Sequence, residues 1–456
     1  MRKAALTNSA IVALILLLST MKGGVGYLYW DHLFKTRPEL QMMDIHAGAG
    51  EAFAQSFRGQ FRDSVVYAVV SESLSEGKGW LDDRGRPTSF VPPVAPLYYA
   101  PFVAIFGYSY RAFWIAMVTA CFFTALLLWI LTSRFHIGLG CATLAVFFLH
   151  PRFFLIYGLP DSEAPFFMLL ALMMWLFSLF WKRPQSGTAL ALGLITSASV
   201  LCRGVTLIFG FAMAVIVGWR AFRAERSWSR LFRVAALYLV AFLLPLGAWS
   251  WRNHVQLNSF ALSTGSQVVM FVGNNPSYDR WKPWWIFEEK HFTEENLRYA
   301  EEFGFKRTDT NYYDPPSGDA LAKAAKHYIR NHPINYASLT ISRFWTYLAP
   351  FHPQMSRVAQ LLTASTWLFF ATGIAFSIRF RTPVDAWRPE LAAFVVTLAV
   401  CLIGLQSLLY VDYQFRYRLP LEFLLVPAVA AGWYNLLRRI NVLRSDVDQL
   451  HPRAQF

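Results

Sequence analysis

The stretch GLPDSEAPFFMLLALMMWLFSLFW, residues 158–181, joins a short polar turn to a long apolar run. A helix needs about 20 apolar residues to cross roughly 30 Å of hydrocarbon, so the run at 164–181 predicts a transmembrane helix. Burying Asp161 or Glu163 in hydrocarbon would be costly, so both acids are expected in a turn at the membrane surface. The stretch therefore predicts two spans that meet at one membrane face.

Runs of this kind recur along a chain that is 55% hydrophobic, only 15% charged and has a mean hydropathy of +0.34. This composition indicates a polytopic α-helical membrane protein. The predicted spans are 5–21, 112–131, 139–156, 164–181, 188–201, 205–219, 234–251, 358–378, 391–409 and 419–437. The first resembles a signal peptide, but no A-x-A-like site follows it, so an uncleaved span is expected. The run at 93–107 is interpreted as an interfacial or re-entrant helix.

Basic residues concentrate in the loops on one side of this arrangement, including Arg134, Lys182 and Arg220. The positive-inside rule then predicts that both termini are cytoplasmic. The net charge of +14 is thus explained by topology and contact with membrane lipids, and a nucleic-acid partner is not expected. The bacterial inner membrane is the expected location, with the endoplasmic reticulum as the alternative.

Four regions follow from these spans. Residues 1–251 hold seven spans and a first outer loop at 22–110, and residues 252–357 form the longest polar segment. That segment predicts a small mixed α/β domain on the outer, periplasmic face. Residues 358–437 hold the last three spans, and residues 438–456 form a cytoplasmic tail.

Polar residues from distant parts of the sequence fall on the outer face in this topology. They come from the first outer loop, the 158–163 turn, the ends of two spans and the last outer loop, namely Asp63, Asp161, Glu163, Arg203, Arg252, Asn253, Asp412, Tyr413, Arg416 and Arg418. Carboxylates beside guanidinium groups at a membrane surface suit a site that handles an anionic lipid headgroup and a proton.

Several short motifs follow one another in this order. An acid is followed four residues later by Tyr67, then come a glycine turn at 77–79, a Pro-Pro helix start at 92–93 and a closing glycine at 107. Glu163, Arg203, PLGAWSWRN, GNNP, YIRNHP and RYRLP follow. Together they resemble the GT-C glycosyltransferases, in the branch of protein O-mannosyltransferases and aminoarabinose transferases, which take sugars from polyprenyl-phosphate donors.

The resemblance implies an inverting membrane glycosyltransferase whose catalytic acid is Asp63, with Glu163 as a second carboxylate. Its phosphate leaving group needs cations, for which the sequence offers Arg203, Arg416 and Arg418. Weaker candidates for substrate binding are Tyr67, Arg252, Asn274, Asn275 and Tyr413. Aminoarabinose transferases carry a lysine before the Pro-Pro, where this chain has Phe90 and Val91, so the phosphate must be held differently here.

Simpler interpretations remain open for the same residues. Asp63 would also serve as a helix N-cap. Asp161 and Glu163 both suit a helix start; Asp161 is therefore left out of the predicted site, whereas Glu163 is kept in it. The arginines could reach lipid phosphates, and the GNNP asparagines suit a turn.

No cofactor is required by these motifs, and no histidine or cysteine spacing predicts a metal site. Whether carboxylates hold Mg²⁺ or Mn²⁺ stays undecided. The acceptor stays unidentified, and a transporter or flippase for a lipid-linked sugar is the alternative function.

Overall fold

The computed structural model describes residues 2–36, 62–82, 84–158, 160–278, 293–306, 315–351, 356–380, 388–409 and 416–440. Among the predicted site residues, Tyr413 lies outside this part of the chain. Asp63 and Arg416 lie within described helices, but their side chains are outside the description.

Helices form most of the described chain. In the first part they are α1 (Arg2–Thr36), α2 (Arg62–Ser75), α3 (Val94–Phe106), α4 (Tyr110–Ser133), α5 (Ile137–Leu149), α6 (Pro151–Ile156), α7 (Glu163–Lys182), α8 (Ser186–Cys202), α9 (Leu207–Glu225) and α10 (Trp228–Leu257). The second part continues with α11 (Thr264–Gly273), α12 (Glu294–Glu301), α13 (Pro315–Asn331), α14 (Pro333–Leu348), α15 (Arg357–Arg379), α16 (Arg388–Leu409) and α17 (Leu419–Arg439). Three-residue 3₁₀ turns start at Gly204, Pro276 and Arg416.

Within the described residues, eight helices are long and apolar enough to cross a membrane. These are Ser9–Gly26, Tyr110–Ser133, Glu163–Lys182, Gly204–Glu225, Trp228–Leu257, Arg357–Arg379, Leu391–Leu409 and Leu419–Arg439. They confirm a polytopic helical membrane protein. The other two predicted spans correspond to shorter helices, so the count of ten stays a prediction.

One of those two spans is broken. The apolar run at 139–156 forms α5 and α6, with His150 between them in an extended conformation. Pro151 explains the break, because the residue before a proline is disfavoured in the α region. The other, α8, has 17 residues and a length of about 26 Å.

The helices α7 and α17 form the centre of the bundle. Of their span residues, 67% and 78% are buried inside the protein, against 28% for α10 and 22% for α15, which lie nearer its periphery. The crossing of α15 and α17 depends on small residues: a Cβ on Gly432 would collide with the carbonyl oxygen of Gly373.

The two ends of the bundle differ in charge. At the end where α4 and α7 finish, which we call the basic end, Arg134 donates to Ser178 and Arg220 donates to the Trp181 carbonyl at 2.8 Å. The opposite end, where α7 and α17 begin and α8 and α10 finish, holds the predicted site residues and is called the site end. The positive-inside rule assigns membrane sides from such an excess of Arg and Lys at one end. Which end faces which side of the membrane stays a prediction.

At the site end, α11, α12 and α13 share a small core that includes Phe271, Leu321 and Tyr328. Within the predicted 252–357 domain the described residues form helices and turns, without a strand. Residues 279–292 and 307–314 of that domain lie outside the described part, so its mixed α/β character is not confirmed.

Candidate functional site

The turn at 158–163 is held from three sides by hydroxyl groups. The Ser64 hydroxyl of α2 donates to Oδ1 of Asp161 at 2.7 Å. Tyr99 of α3 donates to the Asp161 carbonyl and Tyr110 of α4 donates to the Gly158 carbonyl, each at 2.7 Å. Burial raises the pKa of Tyr99 well above its ordinary value, so this hydroxyl stays protonated and keeps its donor role. The turn is therefore fixed to the first outer loop as well as to the bundle.

Asp63 belongs to this arrangement through its backbone. It is the second residue of α2 and directly precedes Ser64, which contacts Asp161. Because α2 begins at Arg62, Asp63 lies inside its first turn and not at the N-cap position that the simpler interpretation requires, although acids are favoured in that turn by the helix dipole. The fold nevertheless brings the predicted catalytic acid to the turn that carries Asp161 and Glu163.

Two predicted site residues form an ion pair with each other. Nη1 of Arg203, just past the end of α8, lies 2.5 Å from Oε1 of Glu163 in the first turn of α7. Their side chains are only 9% and 2% exposed, and Arg203 also contacts the hydroxyl of Ser162 at 3.4 Å. The Arg203 guanidinium lies 5.1 Å from the Tyr417 ring centroid, which adds a cation–π contact. Because Glu163 neutralises Arg203, the carboxylate is better placed to orient the arginine than to accept a proton.

Arg418 has a different setting from the one expected of a phosphate ligand. Its guanidinium is buried, donates through Nε to Oε1 of Glu422 at 2.8 Å, and also donates to the Ala349 carbonyl. The ring of Trp367 covers it at 4.7 Å. The Arg418 side chain therefore ties the start of α17 to the end of α14.

Glu422 is the centre of a buried charge cluster that the sequence reasoning missed. Besides Arg418, its carboxylate has Arg152 Nη1 at 3.6 Å and His150 Nε2 at 3.3 Å, and its side chain is 1% exposed. The sequence did contain a sign of this cluster. Glu422 is a lone acid within an apolar run, and such an acid marks a function or a buried partner. Its i, i+4 spacing from Arg418 also suited an ion pair.

Lys22 is a second ionisable residue that the sequence reasoning missed. Its amine donates to the carbonyls of Phe147 and Phe148 at 3.2 and 3.1 Å, which are in the last turn of α5 and have no helical partner there. The Phe154 ring lies 4.0 Å from this amine. Lys22 thus caps the helix end that the break at His150 leaves inside the protein.

The side chains of two further substrate-binding candidates, Arg252 and Tyr67, make contacts that stabilise the fold. Arg252 donates to the carbonyls of Thr88 and Trp80, at 2.8 and 3.3 Å, and so fastens the first outer loop to the end of α10. The side chain of Tyr67 packs in the main core.

The two asparagines of the GNNP turn are fully buried, and their side chains bond to the backbone around the turn. Asn274 also accepts a hydrogen bond from Arg343 at 3.2 Å. This setting matches the turn interpretation of the motif and leaves little side-chain surface for a sugar.

A metal site is not evident among the described residues, where no three His, Cys, Asp or Glu side chains are grouped as ligands. The side chain of Asp63 is not among the described ones. The question of a divalent cation therefore stays where the sequence left it.

The fold and the site together define a polytopic helical membrane protein with a polar, partly buried site at one end of its bundle. Comparison of the chain with protein-family models and with curated proteins found no match.

Proposed function

We propose that the protein is an inverting membrane glycosyltransferase of the GT-C type, which transfers a sugar from a polyprenyl-phosphate carrier to an acceptor on the outer face. In this proposal the chain crosses a bacterial inner membrane ten times, with α8 and the α5–α6 pair as the two short crossings. Both termini are cytoplasmic, and the site end faces the periplasm.

The observation that carries the proposal is the hydrogen bond between Ser64 and Asp161. It joins the first outer loop, with Asp63, to the turn that leads into the Glu163–Arg203 pair. Acids and a cation from separate elements meet at one end of the bundle, where a lipid-linked substrate has access from the bilayer. Acid–base chemistry beside an anionic leaving group needs this combination.

The proposed reaction assigns a role to each group. Asp63 accepts the proton of the acceptor hydroxyl while the hydroxyl oxygen forms a bond to the anomeric carbon, and Asp161 holds the helix of Asp63 in place through Ser64. The bond from that carbon to the phosphate oxygen breaks on the opposite face, so the configuration inverts and the electron pair leaves with polyprenyl phosphate. Arg203, oriented by Glu163, and Arg416 stabilise the charge on that phosphate. Arg418, already paired with Glu422, fixes the chain that follows Arg416 and Tyr417 to the end of α14.

The test uses membranes that contain the Asp63→Asn or Asp161→Asn variant and receive labelled polyprenyl-phosphate sugar. Loss of transfer from Asp63→Asn at normal expression is expected, with a smaller loss from Asp161→Asn, because its amide oxygen still accepts a hydrogen bond from Ser64. Glu76→Gln is the matched control, because Glu76 is an exposed acid of the same loop that pairs with Lys78. Undiminished transfer by Asp63→Asn would refute the catalytic assignment. Mass spectrometry of the lipid that co-purifies would identify the donor headgroup.

A transporter of lipid-linked sugar is the second candidate, and the break at His150 favours it. Broken helices beside buried ionisable groups are common at transporter binding sites, and here Lys22, Arg152 and Glu422 surround the break. Formation of a new glycosidic bond by protein in detergent distinguishes the two, because a transporter moves its substrate unchanged.

A further inference from the structure

The helix α14 carries a row of apolar side chains on its exposed face. Ile334 is 81% exposed, Ile341 is 59% exposed and Trp345 is 50% exposed, and Ala337 and Phe344 lie on the same side. Their spacing of three, four and seven residues places them on one face of the helix. An exposed apolar face of this length marks a contact with lipid or with another protein.

The preceding helix, α13, has the opposite surface. From Ser317 onward, its exposed side chains are Lys323, Lys326, His327, Arg330 and Asn331. The two helices are joined at His332, and so a water-exposed surface gives way to an apolar one within a single turn of chain. The change indicates that the two helices lie in different surroundings.

Contacts with the transmembrane helix α16 show how α14 is placed. Near the start of α14, the Tyr336 hydroxyl donates to the carbonyl of Leu408, at the site end of α16. Arg343 donates to the same carbonyl at 3.3 Å. Farther along, Tyr347 belongs to a cluster with Leu421 against which Ala399 and Ile403 pack.

These contacts show how far α14 extends along α16 from the site end. Ile403 and Ala399 are about 8 and 14 Å from Leu408 along α16, at about 1.5 Å per residue. The helix α14 therefore runs alongside α16 away from its end, and its last turns reach well below the level of Leu408. The indole nitrogen of Trp367, in the middle of α15, donates to the Leu348 carbonyl at 2.8 Å, which is a second contact with a transmembrane helix at that depth.

The single charge in this part of α14 is hidden from the exposed face. Arg343 is fully buried and donates to the Gly273 carbonyl as well as to Asn274 and Leu408. A helix that enters hydrocarbon must keep such a group paired inside the protein. The neighbouring helix α16 also has exposed apolar side chains, Val396 and Val400.

We propose that α14 is a re-entrant membrane helix, whose C-terminal half lies in the hydrocarbon of the leaflet at the site end and whose exposed apolar face contacts acyl chains. The water-exposed part of the 252–357 segment then ends near Asn331. The next helix, α15, begins at Arg357 at the site end, so the chain enters and leaves the membrane on the same side.

The placement has a consequence for the site. Tyr347 of α14 donates to the Tyr417 carbonyl at 3.2 Å, and Tyr417 lies against Arg203. The carbonyl groups at the end of α14 also hold Arg418. A helix seated in lipid thus positions the segment that carries two of the predicted phosphate ligands.

The test is site-directed spin labelling of the full-length protein in vesicles of phosphatidylcholine and phosphatidylglycerol. The four native cysteines are replaced by alanine, and one nitroxide is placed at Ile334→Cys, Ile341→Cys, Lys326→Cys or Val400→Cys. Accessibility is measured to oxygen, which concentrates in hydrocarbon, and to a water-soluble nickel chelate. Lys326 is the water control on α13, and Val400 is the lipid control on α16.

A label at Ile341 is expected to match the oxygen-to-nickel ratio at Val400 and to exceed that at Lys326 several-fold, with Ile334 between them. A ratio at Ile341 equal to that at Lys326 would overturn the inference, because it places α14 in water. Low accessibility to both reagents would also overturn it, since another protein segment or a second copy would then cover the face. Size-exclusion profiles that match the cysteine-free parent establish that each labelled protein is folded.

Discussion

Replacement of Glu422 by alanine should be among the most destabilising single changes in the protein. The carboxylate has cations from Arg418 and Arg152 and the His150 ring within 3.6 Å, and its side chain is 1% exposed. Its removal leaves buried positive charge without a counter-charge. Breaking a buried ion pair in this way costs about 3–5 kcal/mol, which lowers the ratio of folded to unfolded protein by roughly 150-fold to 5,000-fold.

The assay is titration with a denaturing detergent, followed by intrinsic fluorescence, in mixed micelles where unfolding is reversible. Glu295→Ala, at an exposed position in α12, is the control and should shift the free energy of unfolding by less than about 0.5 kcal/mol. The double variant Arg418→Met, Glu422→Leu removes one charge of each sign. It should lose less stability than the sum of the losses in the single variants Arg418→Met and Glu422→Leu, with a coupling energy of about 0.5–3 kcal/mol. A loss below 1 kcal/mol for Glu422→Ala, or strict additivity in the double variant, would refute the account of a mutually dependent cluster.

Three further predictions address packing, the site turn and pH. Gly432→Ala should lower the apparent melting temperature in detergent, whereas Gly247→Ala, where a Cβ meets open space, should leave it unchanged or raise it. If the proposed function holds, Ser64→Ala should lower kcat roughly 10- to 100-fold at unchanged donor affinity. The reason is that a hydrogen bond to a charged acceptor such as Asp161 contributes about 1.5–3 kcal/mol. Ser64→Thr keeps the hydroxyl and should retain much of the activity, so equal losses in both variants would contradict this role. Burial raises the pKa of Glu72, so its ionised form is disfavoured in the folded state. Glu72→Gln should therefore raise the melting temperature at neutral pH, and that gain should disappear as the pH falls below about 4, near the ordinary pKa of glutamate; a gain that is independent of pH would contradict the assignment.

The architecture could be predicted from sequence where hydrophobicity alone determines it. The run ending at Trp181 is long, apolar and bounded by charge, and it forms α7 as expected. The break at His150 was missed because the apolar run continues through it, and only Pro151 marks the change. The position of α14 was also missed. Its sequence contains Arg343, which reads as a surface residue until its partners in the turn after α11 and at the end of α16 are known.

The candidate site, too, could be predicted from the sequence only in part. Charge bias placed Asp63, Glu163 and Arg203 at one membrane face, and the fold brings the elements that carry them together. Sequence could not show that Glu163 and Arg203 pair with each other, because α7 and α8 must first pack before that distance is defined. It also could not assign Arg418 to Glu422 instead of to a substrate, since both partners are equally plausible for a guanidinium group.

The capping of α5 by Lys22 has a consequence for biosynthesis. The amine and the Phe147 carbonyl that it bonds are 125 residues apart in the chain. At about 5–20 residues per second, the ribosome completes α5 roughly 6–25 seconds after it makes Lys22. During that interval the first helix carries a charge without its acceptors, so it should stay near the membrane surface or beside the insertion machinery. The first helix can pack in its final position only after α4 and α5 have been synthesised and inserted.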